Sequence, residues 1–139
     1  MRVDAFIDTN VLLYAVSTDA AEAAKRAQAR EILSGTGWGL SVQVLQEFYV
    51  NVVRPPRGAM THADAAAAIR QFLRHPTVAS DAALLLDALR LKERFQIAYW
   101  DAAIIAAARV LGASVLYSED LNHGQDYDGV KVTNPFLAH

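Results

Sequence analysis

Cysteine is absent from the 139-residue sequence, which excludes disulfide bonds and thiolate metal ligands in this chain. An excess of positive charge is also missing, because the chain has 13 lysines and arginines and 15 acidic residues, which gives a net charge of −2. That balance argues against a protein that holds nucleic acid through a broad basic surface. No apolar run is long enough to span a bilayer, and no export signal opens the chain. We therefore expect a cytoplasmic protein that has no membrane partner.

Apolar residues are abundant, at 53% of the chain, whereas charged residues make up 20%. This composition is typical of a globular protein. A chain of about this length buries about 68–70% of its unfolded surface, so a core forms without disulfides or a structural metal. Repeats, linkers and low-complexity tails are missing from the sequence. We therefore predict a single domain that spans residues 1–139.

Short apolar runs alternate with longer helical patterns along the chain. Asp19 and Glu22 have the spacing of a capping box, Thr61 opens another helix, and Gly112 is well placed to end a third. Strands separated by helices of ten or more residues pair in parallel, with helices on both faces of the sheet. The prediction is an α/β fold, a three-layer α/β/α sandwich around a central parallel sheet. Its strands would be VDAFID, WGLSV, TVAS, SVLYS and VKVT.

Four acidic residues occupy positions from which they reach one edge of this predicted sheet. Asp8 follows the first strand, and Glu47 lies in the helix after the second. Asp101 opens a late helix, and Asp120 follows the SVLYS strand by two residues. In open parallel sheets, ligands bind in the crevice beyond the carboxyl ends of the strands. Each acid also has an ordinary explanation, as a helix cap, a dipole partner, a solvated helix face or a loop residue.

A cluster of four carboxylates has to bind a cation or take up protons. Two carboxylates about 4 Å apart repel by roughly 4 kcal/mol at an effective dielectric constant of 20. Because the chain has no cysteine and only four histidines, the oxygen-rich set suits a hard ion, Mg²⁺ or Mn²⁺. Such an ion bridges carboxylates to anionic phosphate oxygens and lowers the pKa of a bound water. The pattern therefore indicates hydrolysis of a phosphodiester.

The motifs FIDTNVLLYA, VLQEFYVNVV, YWDAAIIAAA and LYSEDLNHGQ, in this order and spacing, closely resemble the four acidic motifs of PIN-domain proteins. The closing VKVTNPF also looks like that family, so the resemblance covers nearly the whole chain. Within the family, the compact length is similar to that of VapC-type toxins of toxin–antitoxin pairs. The resemblance implies an endoribonuclease that depends on Mg²⁺ or Mn²⁺ and has an α/β/α sandwich fold.

Carried over by position, the resemblance makes Asp8, Glu47, Asp101 and Asp120 the catalytic and metal-binding acids. Asp8 and Asp101 would be direct metal ligands. Glu47 would bind the ion directly or through water and orient the attacking water, and Asp120 would be the most peripheral. The mechanism expected is in-line attack of a metal-activated water on phosphorus, which leaves a 5′-phosphate and a 3′-hydroxyl.

Five further polar residues are assigned supporting or substrate-binding roles. Thr9 and Asn10 are expected to orient the first acid or to bind metal waters, and Ser118 is expected to do the same for the fourth. Arg54 and Arg57, in VVRPPRG, are candidates for contact with the substrate, although this segment also fits a plain connection between two helices.

Three partners follow from the resemblance: an RNA substrate, a cognate VapB-like antitoxin whose C-terminal segment covers the acidic site, and a second copy in a homodimer. The aromatic residues Trp38, Phe48, Tyr49 and Trp100 are predicted to lie in the core rather than on a binding surface.

Four alternative functions can be compared with the sequence: the first two lack a required residue, and the last two remain open. A haloacid-dehalogenase-type phosphatase needs an Asp two positions after its first acid, where this chain has Asn10. A receiver domain needs a Lys after a late strand, which LYSED lacks. A PIN nuclease that processes RNA without an antitoxin, and a PIN module that binds RNA or protein without catalysis, both fit the same motifs.

Overall fold

The computed structural model describes residues 2–55 and 58–137. In these ranges the strands are β1 (Ala5–Ile7), β2 (Trp38–Ser41), β3 (Thr77–Val78), β4 (Val115–Tyr117), β5 (Asp126–Tyr127) and β6 (Val130–Thr133). The helices are α1 (Thr9–Ala15), α2 (Ala23–Ser34), α3 (Val42–Val52), α4 (His62–Phe72), α5 (Ala82–Phe95) and α6 (Tyr99–Val110). Within the same ranges, no helix has both the length and the apolar character needed to cross a bilayer.

All the strands belong to one sheet with the order β3-β2-β1-β4-β6-β5. From β1 the chain steps outward to β2 and β3, and it then returns to the other side of β1 to form β4. Right-handed crossovers in these opposite directions place α1–α4 on one face and α5 and α6 on the other. The predicted three-layer sandwich is therefore confirmed. The point where the strand order reverses lies between β1 and β4.

One edge of the sheet departs from the prediction of a parallel sheet. The strand β5 pairs with β6 in the antiparallel direction. The two are joined by Asp128 and Gly129, which have φ of 52° and 96°. Positive φ at both central residues is the requirement of a type I′ hairpin turn, and the pair Asp-Gly is the common sequence for it. The remaining pairs in the sheet are parallel.

The core is centred on α6, whose residues from Ala102 to Ala108 are all buried. A helix that is apolar on every side is stable only when it is enclosed, and the small alanine side chains let α5 and the sheet approach closely. The helix ends at Val110, Gly112 follows with φ of 68°, and the N–H of Ala113 bonds the carbonyl of Ala108 at 3.0 Å. This is the Schellman arrangement that the position of Gly112 predicts.

Helix starts agree with the sequence at Thr61 and in part at Asp19. The Thr61 hydroxyl accepts the N–H of Asp64 at 3.2 Å and caps α4, as predicted. The Asp19 carboxylate caps a helical turn through the N–H of Ala21 at 2.9 Å, but the Glu22 half of the capping box is wrong, because the Glu22 carboxylate accepts the hydroxyl of Ser17 at 2.6 Å instead. A single 3₁₀ turn, Ala20–Glu22, precedes α2 and moves the start of the α-helix to Ala23.

Candidate active site

The candidate site lies at the carboxyl ends of β1 and β4, where the strand order reverses. In the register of these parallel strands, Ile7 is opposite Tyr117. The next residue of each strand, Asp8 and Ser118, therefore enters the same crevice, and the N–H of Asp8 bonds the carbonyl of Tyr117 at 3.1 Å. Ligands of open α/β sheets bind at this kind of position.

Asp8 is a buried carboxylate that is held by two short hydrogen bonds. One oxygen accepts the N–H of Thr9 at 2.7 Å, and the other accepts the hydroxyl of Ser118 at 2.7 Å. Burial raises the pKa of Asp8 to about 6, and the charges of Asp120 and Glu47 add to this rise, whereas the two hydrogen bonds oppose it. A carboxylate in this state gains stability when a cation neutralises its charge.

Glu47 reaches the crevice from α3, the helix that follows β2. One of its oxygens accepts the hydroxyl of Thr9 at 2.9 Å, and the other accepts the side-chain N–H of Gln43 at 3.0 Å. Gln43, one turn earlier on the same helix, is buried. Asn51, one turn later, bonds the backbone carbonyl of Glu47 at 2.7 Å. The polar stripe along α3 is thus a support for Glu47 rather than a freely solvated face.

Asp120 is tied to the first helix through Asn10. The side-chain N–H of Asn10 donates to Asp120 at 3.2 Å, and its carbonyl oxygen accepts the N–H of Glu119 at 3.3 Å. The backbone N–H of Asp120 also donates to the Ser118 hydroxyl at 3.1 Å. These bonds join the loop after β4 to the first turn of α1.

The supporting polar residues contact more than one acid. The backbone N–H of Thr9 bonds Asp8, which it was expected to orient, whereas its hydroxyl binds Glu47. The amide of Asn10 binds Asp120 and not Asp8, and the alternative expectation, that both residues bind metal waters, stays a prediction. Ser118 donates to Asp8 and not to the side chain of Asp120. The exchange follows from the register of β1 and β4, which sets Ser118 directly beside Asp8.

Asp101 completes the set from the first turn of α6. Burial raises its pKa, and the charges of Asp120 and Glu47 raise it further. Among the described residues no side chain donates a hydrogen bond to its carboxylate, so its oxygens remain available to a ligand. Glu47 and Asp120 therefore act electrostatically on both Asp8 and Asp101, although the four acids come from four separate segments of the chain.

The acids do not form a ready-made metal cage. Within residues 2–55 and 58–137, no three histidine, cysteine or acidic side chains are close enough together to hold an ion. The chemistry of the donors nevertheless fits Mg²⁺ or Mn²⁺, because all are carboxylate oxygens, and burial, with a further contribution from the charges of Glu47 and Asp120, raises the pKa values of Asp8 and Asp101.

A second cluster, which the sequence reasoning missed, fixes the loop between Ser118 and Asp120. Glu119 accepts the hydroxyl of Tyr14 at 2.6 Å and the ammonium of Lys25 at 2.7 Å. Lys25 also lies 4.8 Å from the centre of the Tyr14 ring. Burial favours a higher pKa for Glu119, but the bonds from Lys25 and Tyr14 outweigh it and lower that pKa. No local sequence signal links these residues, because Lys25 and Glu119 are 94 positions apart.

Of the two arginines predicted to contact the substrate, the structure describes only Arg54. Arg54 is exposed and lines an open cavity of about 800 Å³ between the ends of α1 and α3, together with Asn51 and Asp19. Arg57 lies outside the described residues.

The aromatic prediction is right for Trp38 and Phe48, which are buried, and Tyr49 packs against the core from a partly buried position. It is wrong for Trp100, which is 65% exposed at the start of α6.

Comparison with known families decides what the chain is. The model of the PIN domain matches residues 5–125, which contain all four acids. This chain belongs to the PIN-domain family. The resemblance inferred from the four acidic motifs is therefore confirmed. Comparison with curated protein sequences gives no significant match.

Several solved structures share the fold. VapC20 of Mycobacterium tuberculosis, a toxin described as cleaving the sarcin–ricin loop, is 24% identical, with a TM-score of 0.67 over 84% of this chain and 90% of that one. A toxin–antitoxin complex from Klebsiella pneumoniae contains a chain that is 15% identical, with a TM-score of 0.72 over 97% of this chain and 100% of that one. A chain of DNA-bound VapBC from Salmonella typhimurium is 14% identical, with a TM-score of 0.67 over 94% of this chain and 96% of that one.

Proposed function

We propose that this PIN domain is a metal-dependent endoribonuclease and the toxin of a VapBC-type toxin–antitoxin pair. The observation that carries the proposal is that hydrogen bonds through Thr9, Asn10 and Ser118 gather Asp8, Glu47 and Asp120 at the point where the strand order of the sheet reverses. The charges of Glu47 and Asp120 also act on Asp101. A set of carboxylates that repel one another, inside a nuclease fold, is suited to a cation and a phosphodiester. The similarity to VapC20, described as an RNA-cleaving toxin, supports RNA as the substrate.

The residues would divide the work in the following way. Asp8 and Asp101 would hold Mg²⁺ or Mn²⁺, because burial first and the charges of Glu47 and Asp120 second raise their pKa values, and a bound cation would stabilise the ionised form of both. When bound, the ion would lower the pKa of water and neutralise phosphate charge. Glu47, fixed by Thr9 and Gln43, would orient the attacking water and accept its proton. Asp120 would be the most peripheral of the metal-binding acids, at the rim of the site.

Arg54 is the proposed contact for the phosphate backbone of the substrate. It lies two residues past the end of α3 and seven residues beyond Glu47, and it lines an open cavity. Because the chain carries a net charge of −2, a few arginines such as Arg54 would have to hold the RNA in place of a broad basic surface.

An antitoxin and a second copy of the chain are the proposed protein partners. Toxin–antitoxin complexes are among the similar structures, which supports the antitoxin. The chain also exposes apolar surface for such contacts. One example is a groove of about 390 Å³ between α3 and α4, lined by Val42, Leu45, Val50 and Leu73. The alternatives, RNA processing without an antitoxin and binding without catalysis, are outcomes of the test below.

The test uses partner-free protein and total bacterial RNA with Mg²⁺, Mn²⁺ or EDTA. Asp8→Asn removes the central acid, and Glu31→Gln, an equal change of charge on the exposed face of α2, is the matched control. We expect discrete cleavage that requires the metal, disappears in Asp8→Asn and persists in Glu31→Gln. Calorimetry with Mn²⁺ gives a second readout, in which Asp8→Asn loses binding. Folded protein that neither cleaves RNA nor binds Mn²⁺ would contradict the proposal and favour a non-catalytic module.

The toxin assignment needs its own experiment. Induced expression of the wild-type chain should stop growth of a bacterial host, whereas Asp8→Asn should be harmless. Growth should recover when a small protein encoded beside the gene is expressed with it. Cleavage in vitro without any effect on growth would favour the RNA-processing alternative.

A further inference from the structure

A cavity of about 470 Å³ opens beside the acidic site, between the first turns of α3, α5 and α6. This volume falls within the range of about 300–1,000 Å³ that small-molecule sites occupy. Its walls come from Gln43 and Gln46 on α3, Ser80 and Asp81 before α5, and Trp100 on α6. None of these residues has a role in the acidic site except Gln43.

Trp100 is the unusual residue of this cavity, because 65% of its surface is exposed. A single exposed apolar side chain needs no special explanation. This indole, however, stands edge-on to Tyr99 at 5.1 Å between ring centres, and it forms one wall of a cavity that also contains polar groups. Trp38, the other tryptophan of the chain, is only 4% exposed.

The cavity is directly connected to the acids. The side-chain amide of Gln43 donates to Glu47 at 3.0 Å and to the backbone carbonyl of Trp100 at 3.4 Å. The residue after Trp100 is Asp101, itself one of the four acids. One side chain, Gln43, therefore lies between the cavity and the Glu47 carboxylate, so the cavity neighbours the acidic site.

The chemistry of the walls fits one class of ligand. Unpaired RNA bases are recognised by stacking on aromatic side chains and by hydrogen bonds to the base edge. The indole of Trp100 offers a flat surface, and the amide of Gln46, the hydroxyl of Ser80 and the carboxylate of Asp81 offer donors and acceptors. Asp81 uses one oxygen to cap α5 through the N–H of Leu84 at 2.9 Å, which leaves its other oxygen as an acceptor.

We propose that this cavity binds an unpaired nucleobase of the RNA, next to the bond that is cleaved. The base stacks on Trp100, and Gln46, Ser80 and Asp81 bond its edge. The proposal rests on the proposed function, because it takes RNA as the substrate. It identifies the substrate further: the RNA is single-stranded, or has a base turned out of its helix, at the cleavage position.

The other occupant to consider is a second copy of the chain. Leu85 lines the cavity, and Leu86 and Leu89 are exposed farther along α5. A protein contact here would bury the polar groups of Gln46, Ser80 and Asp81 against apolar side chains, which is unfavourable unless each finds a partner. The edge of a base supplies such partners, and so the base is favoured.

The first experiment measures tryptophan fluorescence in the Asp8→Asn protein, which does not cleave its ligand. The probe is a short single-stranded RNA of mixed sequence, and the control probe has the same backbone with abasic residues. We expect the RNA to quench emission and the abasic probe to leave it unchanged. In a second protein that also carries Trp100→Phe, only the buried Trp38 reports, and the quenching should disappear.

The second experiment measures affinity and kinetics in Trp100→Ala and Trp100→Phe, with circular dichroism as a check of folding. Stacking of about 1–3 kcal/mol per base predicts that Trp100→Ala weakens RNA binding by roughly 5- to 150-fold. KM should rise by a similar factor while kcat changes less, and Trp100→Phe should retain most of the affinity. Because Trp100 is exposed, a purely structural role would not divide KM from kcat in this way.

Three results would overturn the nucleobase site. The abasic probe would quench as well as RNA, or Trp100→Ala would bind and cleave with unchanged KM. In the third, emission would change with protein concentration in the absence of RNA, which would mean that a second copy covers Trp100. If Trp100→Ala cleaves RNA as the wild type does, the proposed nuclease activity is supported and the proposed nucleobase site is contradicted. Base-dependent quenching by a protein that never cleaves RNA supports the site and overturns the nuclease.

Discussion

The hydroxyl of Ser118 donates to Asp8 at 2.7 Å and at the same time accepts the N–H of Asp120 at 3.1 Å. One fully buried serine thus joins the acid after β1 to the acid after β4. Both bonds depend on the register that pairs Ile7 with Tyr117, since a slip of one residue would turn Ser118 to the other face of the sheet.

Replacing Ser118 by alanine should raise the pKa of Asp8 above its present value of about 6, because a hydrogen bond to the ionised form is lost. Mn²⁺ binding, which needs the ionised carboxylate, should then require a higher pH. Calorimetric titrations between pH 5 and pH 8 measure the shift. Ser114→Ala, at an exposed position directly before β4, is the matched control and should leave the pH profile of Mn²⁺ binding unchanged. Equal profiles for Ser118→Ala and the wild type would contradict the role of this bond.

The buried Asp8 should also make the stability of the metal-free protein depend on pH. Its pKa is about 6 in the folded state and near 3.8 as an unperturbed carboxyl, so the folded state retains a proton that the unfolded state loses. Stability should therefore decrease as pH rises from about 4 to about 6, by about 3 kcal/mol in total, and the loss should persist above that range.

Asp8→Asn removes this effect and should be more stable than the wild type at pH 7 in EDTA, although we expect it to be inactive. Urea unfolding at pH 4, 5, 6 and 7 measures the difference between the two proteins, in which the contributions of other groups cancel. Added Mn²⁺ should restore stability to the wild type alone. A difference that stays constant from pH 4 to pH 7 would show that Asp8 does not titrate in this way.

The contact of Lys25 with Glu119 should matter more for catalysis than for folding. Lys25 is 40% exposed in its side chain and Glu119 is 27% exposed, so their ion pair contributes only about 0.2–1 kcal/mol to the free energy of unfolding. Glu119, however, lies between Ser118 and Asp120, and it holds both in place. Lys25→Met and Glu119→Gln should each lower kcat/KM for RNA.

A double-mutant cycle tests this coupling. The combined variant should be little worse than either single variant, because both substitutions remove the same restraint. Lys131→Met, an exposed lysine on β6, serves as the control and should retain full activity. Additive losses in the double variant would mean that Lys25 and Glu119 act independently.

The sequence is sufficient to predict where the acids lie but not how they are bonded. Asp8 directly follows a short apolar run, and a strand of that kind can only deliver its next residue to the carboxyl edge of the sheet. The bond between Thr9 and Glu47, by contrast, joins residues 38 positions apart. It depends on how α3 is rotated against α1, which the packing of buried residues such as Phe48 and Leu12 determines. No local pattern carries that information.

The hairpin of β5 and β6 had a local signal that the strand prediction did not use. Asp128-Gly129 is a strong hairpin sequence, but the strand before it is only two residues long and shows no alternation to detect. Asp128 is additionally held by Arg90 at 2.8 Å and Arg94 at 3.0 Å, both from α5. These ion pairs depend on the tertiary fold and became visible only in the structure.

The two outermost strands of the sheet, β3 and β5, are each two residues long. So short an edge offers too few free N–H and carbonyl groups for an extended chain to pair with it. Partners of the protein therefore have to be bound through side chains on the helical faces rather than by addition of a strand. A peptide designed to block this protein would accordingly be built as a helix that fits a groove, such as the one between α3 and α4, and not as an extended segment.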